Sequence, residues 1–189
     1  TTGLDSLTCA LVGISIAVAA GEAYYIPLGH VDLEAKNLDP DICLEVLNPV
    51  LADASIKKIA QNFKFDYHVM TRHGYTISSF DYDPMLASYV IDPAGQHGLD
   101  ALALKYFNYS MQPITDLIGS GKKLKSFAEA PVEKATFYSA EDADFTFRLC
   151  IKLEPLVKEI GAEKLLHEIE LPLARVLATM EAYGVKIDV

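Results

Sequence analysis

Leu7-Thr8-Cys9-Ala10-Leu11-Val12-Gly13-Ile14-Ser15-Ile16-Ala17-Val18 is the most apolar stretch of the chain, and its pattern sets the fold. From Val12 onward the bulky Val12, Ile14, Ile16 and Val18 alternate with Gly13, Ser15 and Ala17. That is the period of a strand with one large face and one small face, so Leu7 to Val18 reads as a strand. Ala19 to Glu22, with Gly21 inside it, reads as a turn. Ala23 to Leu28 then reads as a second strand, with Tyr24, Ile26 and Leu28 on one face. The pair is a hairpin. Pro27 lacks an N–H to give to a ladder, which puts the second strand at an edge or a bulge.

After the hairpin the pattern turns helical. Asp39-Pro40 is a helix start, with an acid at the N-cap and proline in the first turn. Ile42, Val46, Leu47, Val50 and Leu51 continue it at helical spacing. Lys58 to Ala60 reads as a short buried strand, Asn62 to His73 as a helix closed by Gly74, and Thr76 to Phe80 as a further strand. Asp83 to Val90 and Leu99 to Phe107 read as helices, and Gln112 to Ser126 mostly as loop. Ala135 to Ile160 is a long helix whose Phe137, Phe145, Leu149, Leu153, Leu156 and Ile160 are expected to face a core. Glu163 to Tyr183 follows, with Pro172 expected to kink or split it. Strands interleaved with helices after a hairpin define an α/β domain with a mixed sheet.

The 189 residues suit one domain with a short piece of a neighbour. With 51% hydrophobic and 22% charged residues, the chain is globular in composition, not disordered. Sixteen basic residues against 26 acidic give a net charge of -10, which excludes a DNA clamp working by bulk positive charge. It leaves room for a nuclease whose carboxylates hold metal ions. Three scattered cysteines, Cys9, Cys43 and Cys150, and five histidines show no zinc spacing and suit a reducing compartment. No segment has the ~20 apolar residues that span a membrane, and no basic region precedes Leu7 as a signal peptide would require.

Three patterns bear on chemistry. In Gln61-Asn62-Phe63-Lys64-Phe65-Asp66, Asn62 and Asp66 stand i, i+4 on one helix face just after the apolar Ile59-Ala60. They read either as a carboxylate projecting at the sheet edge or as an N-cap and a solvated acid. In Tyr138-Ser139-Ala140-Glu141-Asp142-Ala143-Asp144, Tyr138 and Asp142 stand i, i+4 again. They read either as a phenol beside a metal-binding carboxylate or as an ordinary wet face. Gly119-Ser120-Gly121-Lys122-Lys123 mimics a phosphate-binding loop, but Asp116 stands where that motif needs glycine and Lys123 where it needs serine or threonine, with no strand before it. Lys122, Lys123 and Lys125 read as a solvated basic run.

Taken in order, Thr1-Thr2-Gly3-Leu4-Asp5 before a hairpin, Asn62-x-x-x-Asp66 and Tyr138-x-x-x-Asp142 resemble the motifs of the DnaQ-like (DEDD) 3′–5′ exonucleases, in their tyrosine-bearing DEDDy branch. Leu11-Val12-Gly13-Ile14-Ser15, Tyr25-Ile26-Pro27-Leu28 and Asp83-Pro84-Met85-Leu86-Ala87-Ser88-Tyr89 are similar to the proofreading domains of bacterial DNA polymerases of the polymerase I type. Glu170-Leu171-Pro172-Leu173 through Tyr183-Gly184-Val185-Lys186-Ile187-Asp188 is similar to their passage into the polymerase domain. The resemblance spans the chain. It implies a ribonuclease-H-like fold, a mixed β-sheet flanked by helices, with an exonuclease domain over 1–167 and the start of a polymerase domain over 168–189. It implies hydrolysis of the terminal phosphodiester at single-stranded DNA 3′ ends with two Mg²⁺ or Mn²⁺ ions, in a bacterial cytoplasm. Asp66 and Asp142 match metal ligands, Tyr138 matches the residue that positions the attacking water, and Leu4, Gln61 and Asn62 match contacts to the terminal nucleotides. Phe65 stands where some relatives carry tyrosine and brings no phenol. The family's first motif, Asp-x-Glu, precedes a Thr-Thr-Gly-Leu-Asp segment. Its two carboxylates and first strand are therefore expected upstream of Thr1, Asp5 takes neither role, and the chain alone is expected to be inactive. Two alternatives stand beside this reading. One is a scaffold that has lost its ligands, against which Asp66, Tyr138 and Asp142 are all present. The other is a standalone RNA-trimming exonuclease, against which the polymerase-like tail argues.

Overall fold

The computed structural model describes residues 1–32, 34–121 and 124–187. Lys122 and Lys123 of the basic run, and Asp188 of the polymerase-like tail, lie outside the described residues. Strand β1, Gly13–Ala19, pairs antiparallel with β2, Glu22–Pro27, across a turn whose Gly21 has φ +82°. Ile14 faces Ile26 and Ile16 faces Tyr24, with a bulge between Ala17 and Ala19. Gly13 is required by packing: a Cβ there would stand 2.2 Å from the Tyr25 hydroxyl. The ladder covers only the second half of the strand expected over Leu7 to Val18. Upstream, the Asp5 carboxylate accepts from Leu7 N and Thr8 Oγ1, and its carbonyl accepts from Cys9 N, so a local turn has claimed that backbone.

Helices α1 Pro40–Ala52, α2 Phe63–Arg72, α3 Pro84–Ile91, α4 Leu99–Phe107, the short α5 Thr115–Ile118, α6 Val132–Glu159 and α7 Leu171–Tyr183 follow in order. Asp39 caps α1 through Asp41 N and Asp83 caps α3 through Met85 N, each followed by proline as the Asp-Pro pairs imply. The sheet is smaller than the mixed sheet expected. Among the described residues it has two antiparallel strands, and its parallel component is a single bridge between Ile59 and Tyr82. Lys58 to Ala60 is thus a bridge, not a strand. Thr76 to Phe80 forms no strand because its backbone is engaged elsewhere: Thr76 N donates to Asn48 Oδ1, Ser78 N to Leu51 O, and Arg175 donates to the carbonyls of Ile77 and Ser78.

The largest core cluster joins Tyr82, Ala87 of α3, Leu102 of α4, Leu149, Leu153 and Val157 of α6, and Leu166 and Leu171. The hairpin packs on α6 from the other side. Of the α6 residues expected in the core, Phe145, Leu149 and Leu153 are buried and Leu156 packs against the cluster, but Phe137 and Ile160 are exposed. Of the apolar residues that carry the helical spacing of α1, Leu47 and Leu51 pack inward with Cys43 and Leu44, while Ile42, Val46 and Val50 face solvent. Before α7 the chain makes a wide π-helical turn, Leu165–Glu170. That turn accommodates Pro172, which lacks an N–H and crowds the turn before it. No helix among the described residues is long and apolar enough to cross a membrane.

Candidate active site

Helix α2 begins just beyond the Ile59–Tyr82 bridge, and the order of the chain there sets Asp66 in its first turns. Asn62 adopts the left-handed region at φ 60° and makes no side-chain cap, so it is not an N-cap in the usual sense. Its backbone N–H and that of Phe63 instead donate to the Asp83 carboxylate, at 3.2 and 3.0 Å. Asn62 and Asp66 are both exposed on α2, and Phe65 is half-buried.

Tyr138 and Asp142 lie one turn apart on α6, both half-buried. Burial pushes the Asp142 carboxyl up to about 7, and the charges of Glu141, Asp66 and Asp100 add to the rise while the Tyr138 hydroxyl opposes it. The Asp66 carboxyl is pushed up to about 7 as well, by the surrounding protein first and Asp83 second. Asp66 nevertheless keeps an exposed surface, so water reaches it and moderates its rise. Burial holds the Tyr138 phenol well above its ordinary value, with Asp142 adding to that, so Tyr138 stays protonated at neutral pH. The charge of Asp66 thus reaches Asp142 from a helix far away in sequence, and Tyr138 stands one turn from Asp142 on α6.

The remaining expected contacts divide. Leu4 is 95% exposed and free to lie against another molecule. Gln61 is turned inward: its Nε2 donates to His97 O at 2.9 Å and its Oε1 is buried without a partner. Asp5 is spent on its local turn. Three acids near the site were not singled out by sequence reasoning. Asp83 is 2% exposed and bonded to two helix starts, that of its own helix and that of α2. Glu141 is buried and accepts from Tyr109 Oη at 2.7 Å and Gln112 N at 2.9 Å, tying the loop after α4 to α6. Asp100, in the first turn of α4, adds its charge to Tyr138 and Asp142. A groove of about 530 Å³ runs beside α6 along Tyr109, Gln112, Lys134, Phe137 and Glu141, and Asp66 and Asp142 do not line it.

No group of three or more His, Cys, Asp or Glu side chains is arranged to hold a metal ion among the described residues. The donors present still suit one. Asp66 and Asp142 offer hard oxygen atoms, and both carboxyls are raised chiefly by burial, with neighbouring acids adding to the rise, a cost that a bound divalent cation would offset.

Comparison with known proteins gives the family and the fold. The profile of the 3′–5′ exonuclease family matches residues 1–158. DNA polymerase I of Rhizobium leguminosarum is 38% identical over 207 residues, covering 100% of this chain and 20% of its own length. DNA polymerase I of Pseudomonas aeruginosa is 39% identical over 193 residues, covering 100% of this chain and 21% of its own length. The chain thus spans about a fifth of the curated relatives it matches. Among solved structures, the POL domain of Pol1 from M. smegmatis, in complex with DNA primer-template and dNTP, superposes with a TM-score of 0.72 at 23% identity, over 95% of this chain and 27% of that one. The apo form of a nuclease superposes with a TM-score of 0.69 at 18% identity, over 93% of this chain and 77% of that one. The folds agree. The chain belongs to the 3′–5′ exonuclease family. Within it, the chain is homologous to the exonuclease region of bacterial DNA polymerase I.

Proposed function

We propose that this chain is the proofreading unit of a DNA polymerase I, hydrolysing the terminal phosphodiester of single-stranded DNA 3′ ends during replication and repair. The observation that carries the reading is the match of residues 1–158 to the 3′–5′ exonuclease family, supported by two raised carboxyls, Asp66 and Asp142, the second of which feels the charge of the first and lies one turn from Tyr138. Asp66 and Asp142 would hold Mg²⁺ or Mn²⁺, which supplies positive charge to acidify a water and to neutralise the leaving oxygen. The chain's own part is to orient. Tyr138 keeps its proton, and its hydroxyl sets the line along which a water approaches the phosphate. Asn62 and Leu4, both exposed, contact the last nucleotides, one by hydrogen bonding and one by packing. The inward turn of Gln61 gives it a different part, shaping the backbone at Asn62 rather than reaching the substrate through its amide.

In this reading residues 1–167 are the exonuclease domain and 168–189 the start of a polymerase domain, as the polymerase-like tail from Glu170 suggests. In that arrangement α7 is the joint. It grips α2 through Glu181, which pairs with Lys64 at 2.5 Å and His68 at 3.2 Å. The test is trimming of a 5′-labelled single strand by the full-length protein in Mg²⁺, with Asp142→Ala beside it. Stepwise shortening from the 3′ end in the wild type, lost in Asp142→Ala, is the expected result. No trimming by the wild type, or trimming of RNA in preference to DNA, would overturn the reading.

A further inference from the structure

Helix α2 has no cap of its own, and a residue from another segment supplies it. Asp83 Oδ2 accepts from Phe63 N at 3.0 Å, while Oδ1 accepts from Asn62 N at 3.2 Å and from Met85 N at 2.8 Å. One carboxylate therefore closes the first turns of two helices, α2 and α3. It is 2% exposed, and among the described residues no Lys, Arg or His pairs with it. A buried anion without a cation is held by N–H groups and by the positive ends of helices, and both are present here. Asparagine would not serve equally, because its amide nitrogen would face one of the N–H groups that a carboxylate accepts. Serine has one oxygen where two are used.

The same corner is pinned again from α3. Ser88 Oγ lies 2.5 Å from His97 Nδ1, and the His97 carbonyl accepts from Gln61 Nε2 at 2.9 Å. The approach to α2 is thus tied to α3 on both sides of Asn62. The first carboxylate past that tie is Asp66.

We propose that Asp83 is a positioning residue for Asp66: by capping α2 and α3 together it fixes the turn that presents Asp66 toward Asp142, and its buried charge adds to the field that draws a divalent cation there. This rests on the exonuclease reading of the site. It assigns to Asp83 no contact with metal or DNA, since its oxygens are engaged and it is closed to solvent.

The test compares Asp83→Asn with Asp39→Asn in the full-length protein. Asp39 caps α1 through Asp41 N with one oxygen, which asparagine keeps, and lies outside the site, so Asp39→Asn reports the change from carboxylate to amide at an ordinary single cap. Three readouts are taken: Mn²⁺ affinity by electron paramagnetic resonance, kcat and KM on single-stranded DNA, and amide hydrogen exchange. Asp83→Asn should weaken Mn²⁺ binding and lower kcat by about 10–100-fold, the usual cost of losing a partner behind a metal ligand, with KM for DNA within about twofold. Asp39→Asn should change neither. In the wild type, the amide protons of Asn62, Phe63 and Met85 should be as protected as the middle of α2. Wild-type Mn²⁺ affinity and kcat in folded Asp83→Asn would overturn the proposal, as would free exchange of those three amides in the wild type, which needs no variant to fold. A wild type that neither binds Mn²⁺ nor trims DNA would instead sink the exonuclease reading, and the positioning role with it.

Discussion

At the residue scale, Asp142 carries a conflict between stability and function. Its carboxyl is pushed up to about 7, chiefly by burial. Below about pH 4 it is protonated in both the folded and the unfolded chain. As pH rises from there toward 7, the unfolded chain ionises while the folded chain keeps its proton, so the folded state binds more protons and stability falls. Above that window the folded state carries the full cost of an ionised, half-buried group. Asp142→Asn should therefore raise the melting temperature at pH 8 and leave it unchanged at pH 4, on the scale of ~2–4 °C for each kcal/mol relieved. Mg²⁺ should raise the wild-type value at pH 8 and narrow the gap. A variant no more stable than wild type at pH 8 would show that the carboxyl is not strained. For activity the order reverses. Asp142→Ala should lose more than about a hundredfold in DNA trimming, since even partners behind a metal ligand cost ~10–100-fold. Tyr138→Phe removes one orienting hydroxyl and should cost only about 5- to 100-fold in kcat, the worth of ~1–3 kcal/mol. Equal loss in the two variants, measured on the same strand, would contradict the roles given to them.

At the element scale, α6 is the spine. It carries Tyr138 and Asp142 near its start and Leu149, Leu153 and Val157 into the largest core cluster further along. Leu153 is fully buried, so Leu153→Ala should destabilise the chain by about 2–5 kcal/mol through lost transfer and a cavity. Because Leu153 lies three turns from Asp142, kcat at a temperature well below unfolding should stay near wild type. A selective loss of kcat would place the catalytic end of α6 under tighter control by its core than the packing shows. The helix limits were legible because their ends are local chemistry: Asp39-Pro40 and Asp83-Pro84 carry their own caps. Facing directions were less so. Ile42, Val46 and Val50 have a proper helical period, yet the face buried is that of Cys43, Leu44 and Leu47, and only the tertiary partner decides between neighbouring stripes. Thr76 to Phe80 has strand-like residues, but Asn48 and Arg175 satisfy its backbone, and no local pattern shows that.

At the scale of the molecule, the site is assembled from segments joined only by folding. The pair Tyr138 with Asp142 was legible because i, i+4 spacing puts both on one face of α6, whereas Asn62 precedes α2 in the left-handed region and shares no helix face with Asp66. The inward turn of Gln61 and the double cap by Asp83 were not legible, since both depend on a partner from another segment. The pairing of Glu181 with Lys64 and His68 links α7 to the helix carrying Asp66. With a net charge of -10, the chain offers an anionic strand little general attraction, and in the proposed function a divalent cation held at the site would offset that repulsion. The central claim is that Asp66 and Asp142 serve one such cation. The most direct measurement is anomalous scattering from crystals of the full-length protein soaked in Mn²⁺. The account predicts a Mn²⁺ peak in contact with the carboxylates of Asp66 or Asp142, lost in Asp142→Ala. Mn²⁺ bound elsewhere, with those two carboxylates free of metal in an enzyme that still trims DNA, would contradict it.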